Sequence, residues 1–294
     1  MAKKLKGTGV ALVTPFNVDG SIDYVSLEKL VNSVIKGGVD FLVALGTTAE
    51  TPTLSKKEKQ EVLAAVIKYN NDRLPVVCGI GGNDTAEVIE NLEQFDLRGV
   101  TAILSVTPYY NKPTQEGLYQ HFKAVADATN KPIILYNVPG RTGVNMLPAT
   151  VVRLAKDFRN IIGIKEASGN MVQCMELIQS VPDNFIVLSG DDNLALAQMA
   201  VGMEGVISVA ANCWPTEFTE MINLAFINKY EKARKVHYRL LNGIDLLFAE
   251  GNPAGVKCVL HHQGICINKF RLPVVPVSGS TEVKIVDFLK TLEA

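Results

Sequence analysis

Ile161-Ile162-Gly163-Ile164-Lys165-Glu166-Ala167-Ser168-Gly169 is a short apolar run that ends in a lysine. Flanked by Asn160 on one side and Ser168-Gly169 on the other, it predicts a strand buried on both faces. A buried ammonium costs several kcal/mol unless it is paired. Lys165 therefore reaches water, finds an acid, or gives up its proton. A neutral amine at a strand end in a pocket is a nucleophile able to form a Schiff base with a carbonyl compound. The other reading is a lysine that snorkels into solvent as the strand leaves the core.

The neighbouring sequence repeats the same pattern in both directions. Residues 8–14 form a first apolar run, stopped by Pro15-Phe16-Asn17. Residues 23–36 then carry apolar side chains at helical spacing (Val25, Leu27, Leu30, Val31, Val34) and stop at Gly37-Gly38. Strand patterns follow at 40–45, 75–80, 100–106, 132–137, 185–189 and 205–209, with helical patterns at 55–69, 84–95, 115–129, 147–158, 192–201 and from 215. Eight apolar runs alternating with amphipathic helices predict a parallel sheet with right-handed crossovers. The expected architecture is a closed (β/α)8 TIM barrel, catalytic, over residues 1–225, with an open doubly wound sheet as the alternative. Residues 226–294 read as a C-terminal helical domain, with helices at 229–248, 253–262 and 281–292 and a link carrying Pro273 and Pro276.

Composition narrows the classes of function. The 294 residues carry a formal net charge of −1, with no basic stripe for nucleic acid and no polybasic cluster for a membrane surface. Lys3, Lys4 and Lys6 precede Gly-Thr-Gly rather than a long apolar segment, and no run approaches the length of a membrane span. Cys78, Cys174, Cys213, Cys258 and Cys266 are scattered, odd in number and never in a C-x-x-C pair, which predicts reduced thiols and a cytoplasmic protein. His121, His237, His261 and His262 lack metal-ligand spacing, so no metal is expected.

In a barrel of this kind the active site lies at the C-terminal strand ends. There the sequence places Gly46-Thr47-Thr48, Gly79-Ile80-Gly81-Gly82, Thr107-Pro108-Tyr109-Tyr110, Tyr136-Asn137, Lys165-Glu166, Ser189-Gly190-Asp191-Asp192 and Ser208. Thr47 and Thr48 hold a carboxylate or phosphate, or form an ordinary turn. The glycines at 79, 81 and 82 match neither dinucleotide nor Walker spacing and fit turn geometry. A tyrosine beside a lysine carries protons to and from a carbinolamine, although tyrosine is also a common strand residue. Arg141, in Pro139-Gly140-Arg141-Thr142-Gly143, offers a fork for a carboxylate or a surface salt bridge. Asp191 and Asp192 are either paired acids or caps of the helix after them. Cys213-Trp214 is read as core packing.

Together these segments resemble the dihydrodipicolinate synthase family of pyruvate-dependent class I aldolases, along essentially the whole chain. The match runs from Gly7-Thr8-Gly9-Val10 through Gly46-Thr47-Thr48, Thr107-Pro108-Tyr109-Tyr110-Asn111-Lys112-Pro113, Tyr136 to Thr142, Ile164 to Gly169 and Ser189 to Asp192, ending at Gly205-Val206-Ile207-Ser208. The resemblance implies a lyase of lysine and diaminopimelate biosynthesis that condenses pyruvate with L-aspartate 4-semialdehyde. It needs no cofactor beyond the lysine-pyruvate imine, and the family usually assembles as a homotetramer of two tight dimers. By the same resemblance Lys165 forms the imine, and Tyr136, Thr47 and Tyr110 relay protons, with Tyr110 reaching into a neighbouring subunit. Thr47 and Thr48 hold the pyruvate carboxylate, Arg141 binds the semialdehyde carboxylate, and the backbone at Gly190 and Ile207 lines the site. An effector pocket for L-lysine is matched at Asn83, Glu87 and Tyr109. Lys56 and Lys59 stand where feedback-inhibited members often carry histidine, which implies weak or absent inhibition. Ala49 replaces a family glycine and puts a positive-φ turn in question. The alternatives are a sialate or keto-deoxy-sugar-acid lyase of the same superfamily and a non-catalytic barrel that binds a small carboxylate.

Overall fold

In the computed structural model, which describes residues 5–293, eight parallel strands close into a barrel in chain order. Lys3 and Lys4 lie outside the described residues. The strands are β1 (Gly7–Ala11), β2 (Phe41–Ala44), β3 (Val76–Gly79), β4 (Val100–Val106), β5 (Ile133–Asn137), β6 (Ile161–Glu166), β7 (Ile186–Ser189) and β8 (Gly205–Ser208). Around them run α1 (Tyr24–Lys36), α2 (Lys56–Asn70), α3 (Thr85–Gln94), α4 (Gln115–Asp127), the short α5 (Pro139–Thr142), α6 (Pro148–Asp157), α7 (Met171–Ser180), α8 (Ala195–Ala200) and α9 (Pro215–Phe226). The helices α10 (Tyr230–Phe248), α11 (Ala254–His262) and α12 (Gly279–Glu293) follow the barrel.

Closure is explicit in the register, because β1 pairs with β2 on one side and with β8 on the other, Gly7 opposite Gly205 and Val10 opposite Ser208. The open sheet is thereby excluded, and the ring leaves no unpaired edge. Phe41, Val77, Leu104, Ile134, Leu188 and Ile207 fill the interior, and a second apolar layer lies between strands and helices. Two buried faces explain why the strands read as unbroken apolar runs. Gly9 makes the interior packing possible, since a Cβ there would stand 2.2 Å from the Phe41 ring.

Local chemistry sets the helix starts. Ser55 and Glu58 form a reciprocal capping box on α2, and Asp23 caps α1 through the Ser26 N–H. The region after β7 departs from expectation. The helix begins at Ala195 rather than near residue 192, because the Asp192 carboxylate does not cap it. It accepts instead from the N–H groups of Val209 and Ala210, at 2.9 and 2.8 Å, and so ties the end of β7 to the end of β8. The sequence pattern also did not reveal α5 or the 3-10 turns Thr47–Ala49, Thr51–Thr53 and Ala210–Asn212. Cys213 and Trp214 are core residues, with the indole meeting Phe288 of α12 edge-on at 5.5 Å.

Candidate active site

Lys165 is the next-to-last residue of β6, in register with Tyr136 of β5 and Leu188 of β7. All three point into the barrel, as the alternation of a strand requires. Lys165 is 5 % exposed, and its Nζ lies 4.3 Å from the centre of the Tyr136 ring. No ion pair among the described residues includes it. Snorkelling into bulk solvent is therefore not what this lysine does.

The next residue, Glu166, points the opposite way and is fully buried. Its carboxylate accepts from Asn137 Nδ2 at 3.0 Å, Ser168 N at 2.8 Å and Gln173 Nε2 at 3.1 Å. Asn137 in turn reaches Asn145 Oδ1 at 2.8 Å and accepts from Met146 N at 2.9 Å. This amide network fastens the segment after β5, which carries Arg141, to the strand that carries Lys165. Gly190 is required by close packing at this level, since a Cβ there would stand 2.5 Å from Ala167 Cβ and 3.0 Å from Lys165 Cε. Burial pushes the neighbouring Asp191 carboxyl up to about 6, against the opposing pull of the Lys165 charge.

A cavity of about 430 Å³ opens above this layer. Thr47, Tyr109, Tyr136 and Arg141 line it, together with Asn252 and Lys59. Lys165 is not itself a lining residue, but its Nζ lies against the ring of Tyr136, which is. Thr48 and Ile207 are buried at the same end of the barrel but do not line the cavity, and neither does Gly190. Tyr110 stands apart: it is 84 % exposed, has φ of 74°, and does not line this chain's own cavity. Asn83 and Glu87 are exposed and outside the cavity, whereas Tyr109 and Lys59 belong to it. Gly79 and Gly81 are explained by packing, because a Cβ would meet Leu45 O at 2.0 Å and Val106 N at 2.8 Å respectively.

The turn at Ala49 is not strained where the sequence placed the strain. Left-handed backbone falls on Leu45 and Glu50, with φ of 57° and 55°, while Ala49 continues the 3-10 turn and is buried. Sequence reasoning missed what stands behind this turn. Asn252 Nδ2 donates to Thr48 Oγ1 at 3.0 Å, and Lys257 Nζ donates to Glu50 Oε1 at 2.5 Å. Arg271 grips Glu58 with both ends of its fork and also donates to the carbonyls of Thr53 and Gly20. The five cysteines are buried and free. Cys258, His262 and Glu282 bring ligand-type atoms within 4.8 Å of one another, an i, i+4 spacing on α11 that the sequence reading passed over. There His262 Nε2 is already bonded to Glu282 Oε1 at 2.9 Å.

A closed barrel that buries an unpaired lysine against a tyrosine, beneath a cavity lined by threonine and arginine, defines the class of lysine-imine aldolases. The model of the dihydrodipicolinate synthetase family matches residues 4–292, and the chain belongs to that family. It is 54 % identical over 286 residues to the 4-hydroxy-tetrahydrodipicolinate synthase of Flavobacterium psychrophilum, covering 97 % of this chain and 98 % of the relative. A crystal structure of a dihydrodipicolinate synthase superimposes with a TM-score of 0.95 at 44 % identity, covering 98 % and 99 % of the two chains. The chloride-inhibited enzyme of Acinetobacter baumannii, solved in complex with pyruvate, superimposes with a TM-score of 0.94 at 43 % identity, covering 97 % and 98 %.

Proposed function

We propose that this chain is a 4-hydroxy-tetrahydrodipicolinate synthase, a lyase of lysine and diaminopimelate biosynthesis that condenses pyruvate with L-aspartate 4-semialdehyde. The observation that carries the reading is Lys165, buried against Tyr136 with no carboxylate paired to it among the described residues. Its amine adds to C2 of pyruvate, and the resulting carbinolamine loses water to give an imine. The imine makes the methyl protons acidic, and removal of one gives an enamine that attacks the aldehyde carbon of the semialdehyde. The substrate amine then attacks the imine carbon, closing the ring and freeing Lys165. Tyr136, Thr47 and Tyr110 relay the protons, and Thr47 and Thr48 hold the pyruvate carboxylate. Arg141 takes the carboxylate of the second substrate, while the backbone at Gly190 and Ile207 borders the imine. No metal or organic cofactor enters the scheme.

Tyr110 has no role in its own cavity, which fits a homotetramer of two tight dimers in which it enters a partner's site. One structural relative is described as a monomeric variant, so sedimentation analysis is the direct measurement here. The proposed division is a catalytic barrel over residues 1–225 and a helical domain over 226–294. No described helix is long and apolar enough to cross a membrane, and the free buried thiols suit the cytoplasm.

The test is borohydride reduction with pyruvate present, followed by peptide mapping, with the adduct expected on Lys165. A non-catalytic barrel gives no adduct. Assays with L-aspartate 4-semialdehyde and with N-acetylmannosamine separate the synthase from a sialate lyase. At the effector site proposed around Asn83, Glu87 and Tyr109, Lys56 is already paired with Glu90 at 2.8 Å and Lys59 lines the cavity. Both add positive charge where a dibasic amino acid would bind, so L-lysine is expected to inhibit weakly or not at all. An inhibition constant in the low-micromolar range overturns that expectation.

A further inference from the structure

Thr48 lies in the first turn after β2, yet the one described side chain that touches its hydroxyl comes from the far end of the chain. Asn252 Nδ2 donates to Thr48 Oγ1 at 3.0 Å, and Asn252 itself lines the cavity. A hydroxyl has one proton and two lone pairs. With a lone pair filled by the amide N–H, the Thr48 proton is left to point elsewhere. Asn252 Oδ1 is buried without a partner among the described residues, so the amide offers Thr48 a donor and takes no proton from it. The turn is held still around this contact. Ala49 O accepts from Thr14 Oγ1 at 2.8 Å, and the left-handed Glu50 turns its carboxylate back onto Lys257.

We propose that Asn252 is a positioning residue for the condensation: by donating to Thr48 it fixes the polarity of that hydroxyl, so that the Thr48 proton is always offered to the pyruvate carboxylate. The inference rests on the assignment of Thr48 to that carboxylate. It makes the segment between α10 and α11 a part of the pyruvate pocket, although that segment is some 200 residues from the strand it serves.

The experiment measures kcat, both KM values and thermal stability for N252A, N252D, T48V and the T48V/N252A pair. N252A is expected to raise the pyruvate KM about tenfold, the worth of one hydrogen bond to a charged group. N252D is nearly isosteric but accepts the Thr48 proton and adds a negative charge, so it is expected to raise the pyruvate KM further still. The semialdehyde KM is expected to change less than about twofold in both. In the T48V background N252A is expected to add less than about twofold. A purely structural asparagine predicts the reverse order, with N252D milder than N252A, and an effect of N252A that persists in full in T48V; either result overturns the inference. Should N252D fail to fold, the cycle of T48V and N252A decides alone. A wild-type protein that forms no borohydride adduct with pyruvate overturns the proposed function instead, whereas one that forms it while N252A and N252D keep the wild-type pyruvate KM overturns only the role of Asn252.

Discussion

Two lysines among the described residues are buried, Lys165 and Lys257, and of the two only Lys257 is paired with a carboxylate there. Lys257 on α11 is fully buried, with Nζ 2.5 Å from Glu50 Oε1 and 3.0 Å from the Lys269 carbonyl. The rings of Phe16 and Phe270 lie 4.3 and 4.8 Å from it. Burial holds its pKa below the usual lysine range even with Glu50 pulling the other way. Lys165 at the end of β6 is nearly as buried and has an aromatic face too, but no carboxylate within ion-pair distance among the described residues. The difference teaches that burial alone does not mark a reactive lysine. A buried ammonium with an acid and a carbonyl is a satisfied structural charge. One without them has no acid holding its amine in place, which leaves the amine free to bond covalently to a keto acid.

The largest effect that would break this comparison is expected at the unpaired lysine. Lys165→Met should lower kcat by about 10^4-fold or more, as loss of a covalent nucleophile does, and should abolish the pyruvate adduct. Because no ion pair is lost, its thermal unfolding midpoint should stay near that of the wild type. Turnover that survives the substitution would place the chemistry elsewhere. Lys257→Met should do the opposite, forming the adduct at Lys165 in whatever fraction stays folded while losing about 3–5 kcal/mol of stability, because Glu50 is left as an unpaired buried charge. Urea denaturation measures that loss, and adding Glu50→Gln to Lys257→Met should recover part of it.

A smaller effect separates the buried pair from its partly exposed neighbour. The Arg271 fork bonded to Glu58 holds that carboxyl down at about 2. A carboxylate with a lowered folded-state pKa stabilises the protein above its unfolded value and loses that contribution as the pH falls toward the folded one. Stability should therefore decline between about pH 4.5 and pH 2 by this route, and Glu58→Gln should flatten that part of the profile. As a pair at the rim it should contribute at most about 1 kcal/mol at neutral pH. Denaturation midpoints across the acid range provide the measurement.

The barrel was legible because strands covered on both faces show as apolar runs, and Lys165 was legible as a charge ending such a run. Its neighbours Tyr136 and Arg141 were legible as strand-end residues. Residues whose partners lie across the chain were not. Asp192 resembles a helix cap locally, but its partners are on the far side of β8, so only the closed ring reveals what it bonds. Asn252 and Lys257 act on residues some 200 positions earlier. The sequence held one unread signal for them, a lone lysine inside the apolar stretch Gly255-Val256-Lys257-Cys258-Val259-Leu260. A charge set in such a stretch needs an acid somewhere, and pattern alone cannot name Glu50.

The smallest effect concerns the turn that joins the two lysines' surroundings. The family resemblance leads one to expect glycine at position 49, and a left-handed residue there would make Ala49→Gly stabilising. The left-handed residue is Glu50, one position later, and that conformation accompanies the turn of its carboxylate onto Lys257. Ala49 itself sits in the 3-10 turn, 2 % exposed. Replacing it with glycine should therefore destabilise, by about 0.5–1 kcal/mol from added freedom of the unfolded chain and by a comparable amount from the lost buried methyl. The pyruvate KM should change little, because Asn252 and Thr14 still hold the turn from either side. A rise in the unfolding midpoint on Ala49→Gly would mean that the strain lies at residue 49 after all, and the account of how Glu50 reaches Lys257 would fall with it.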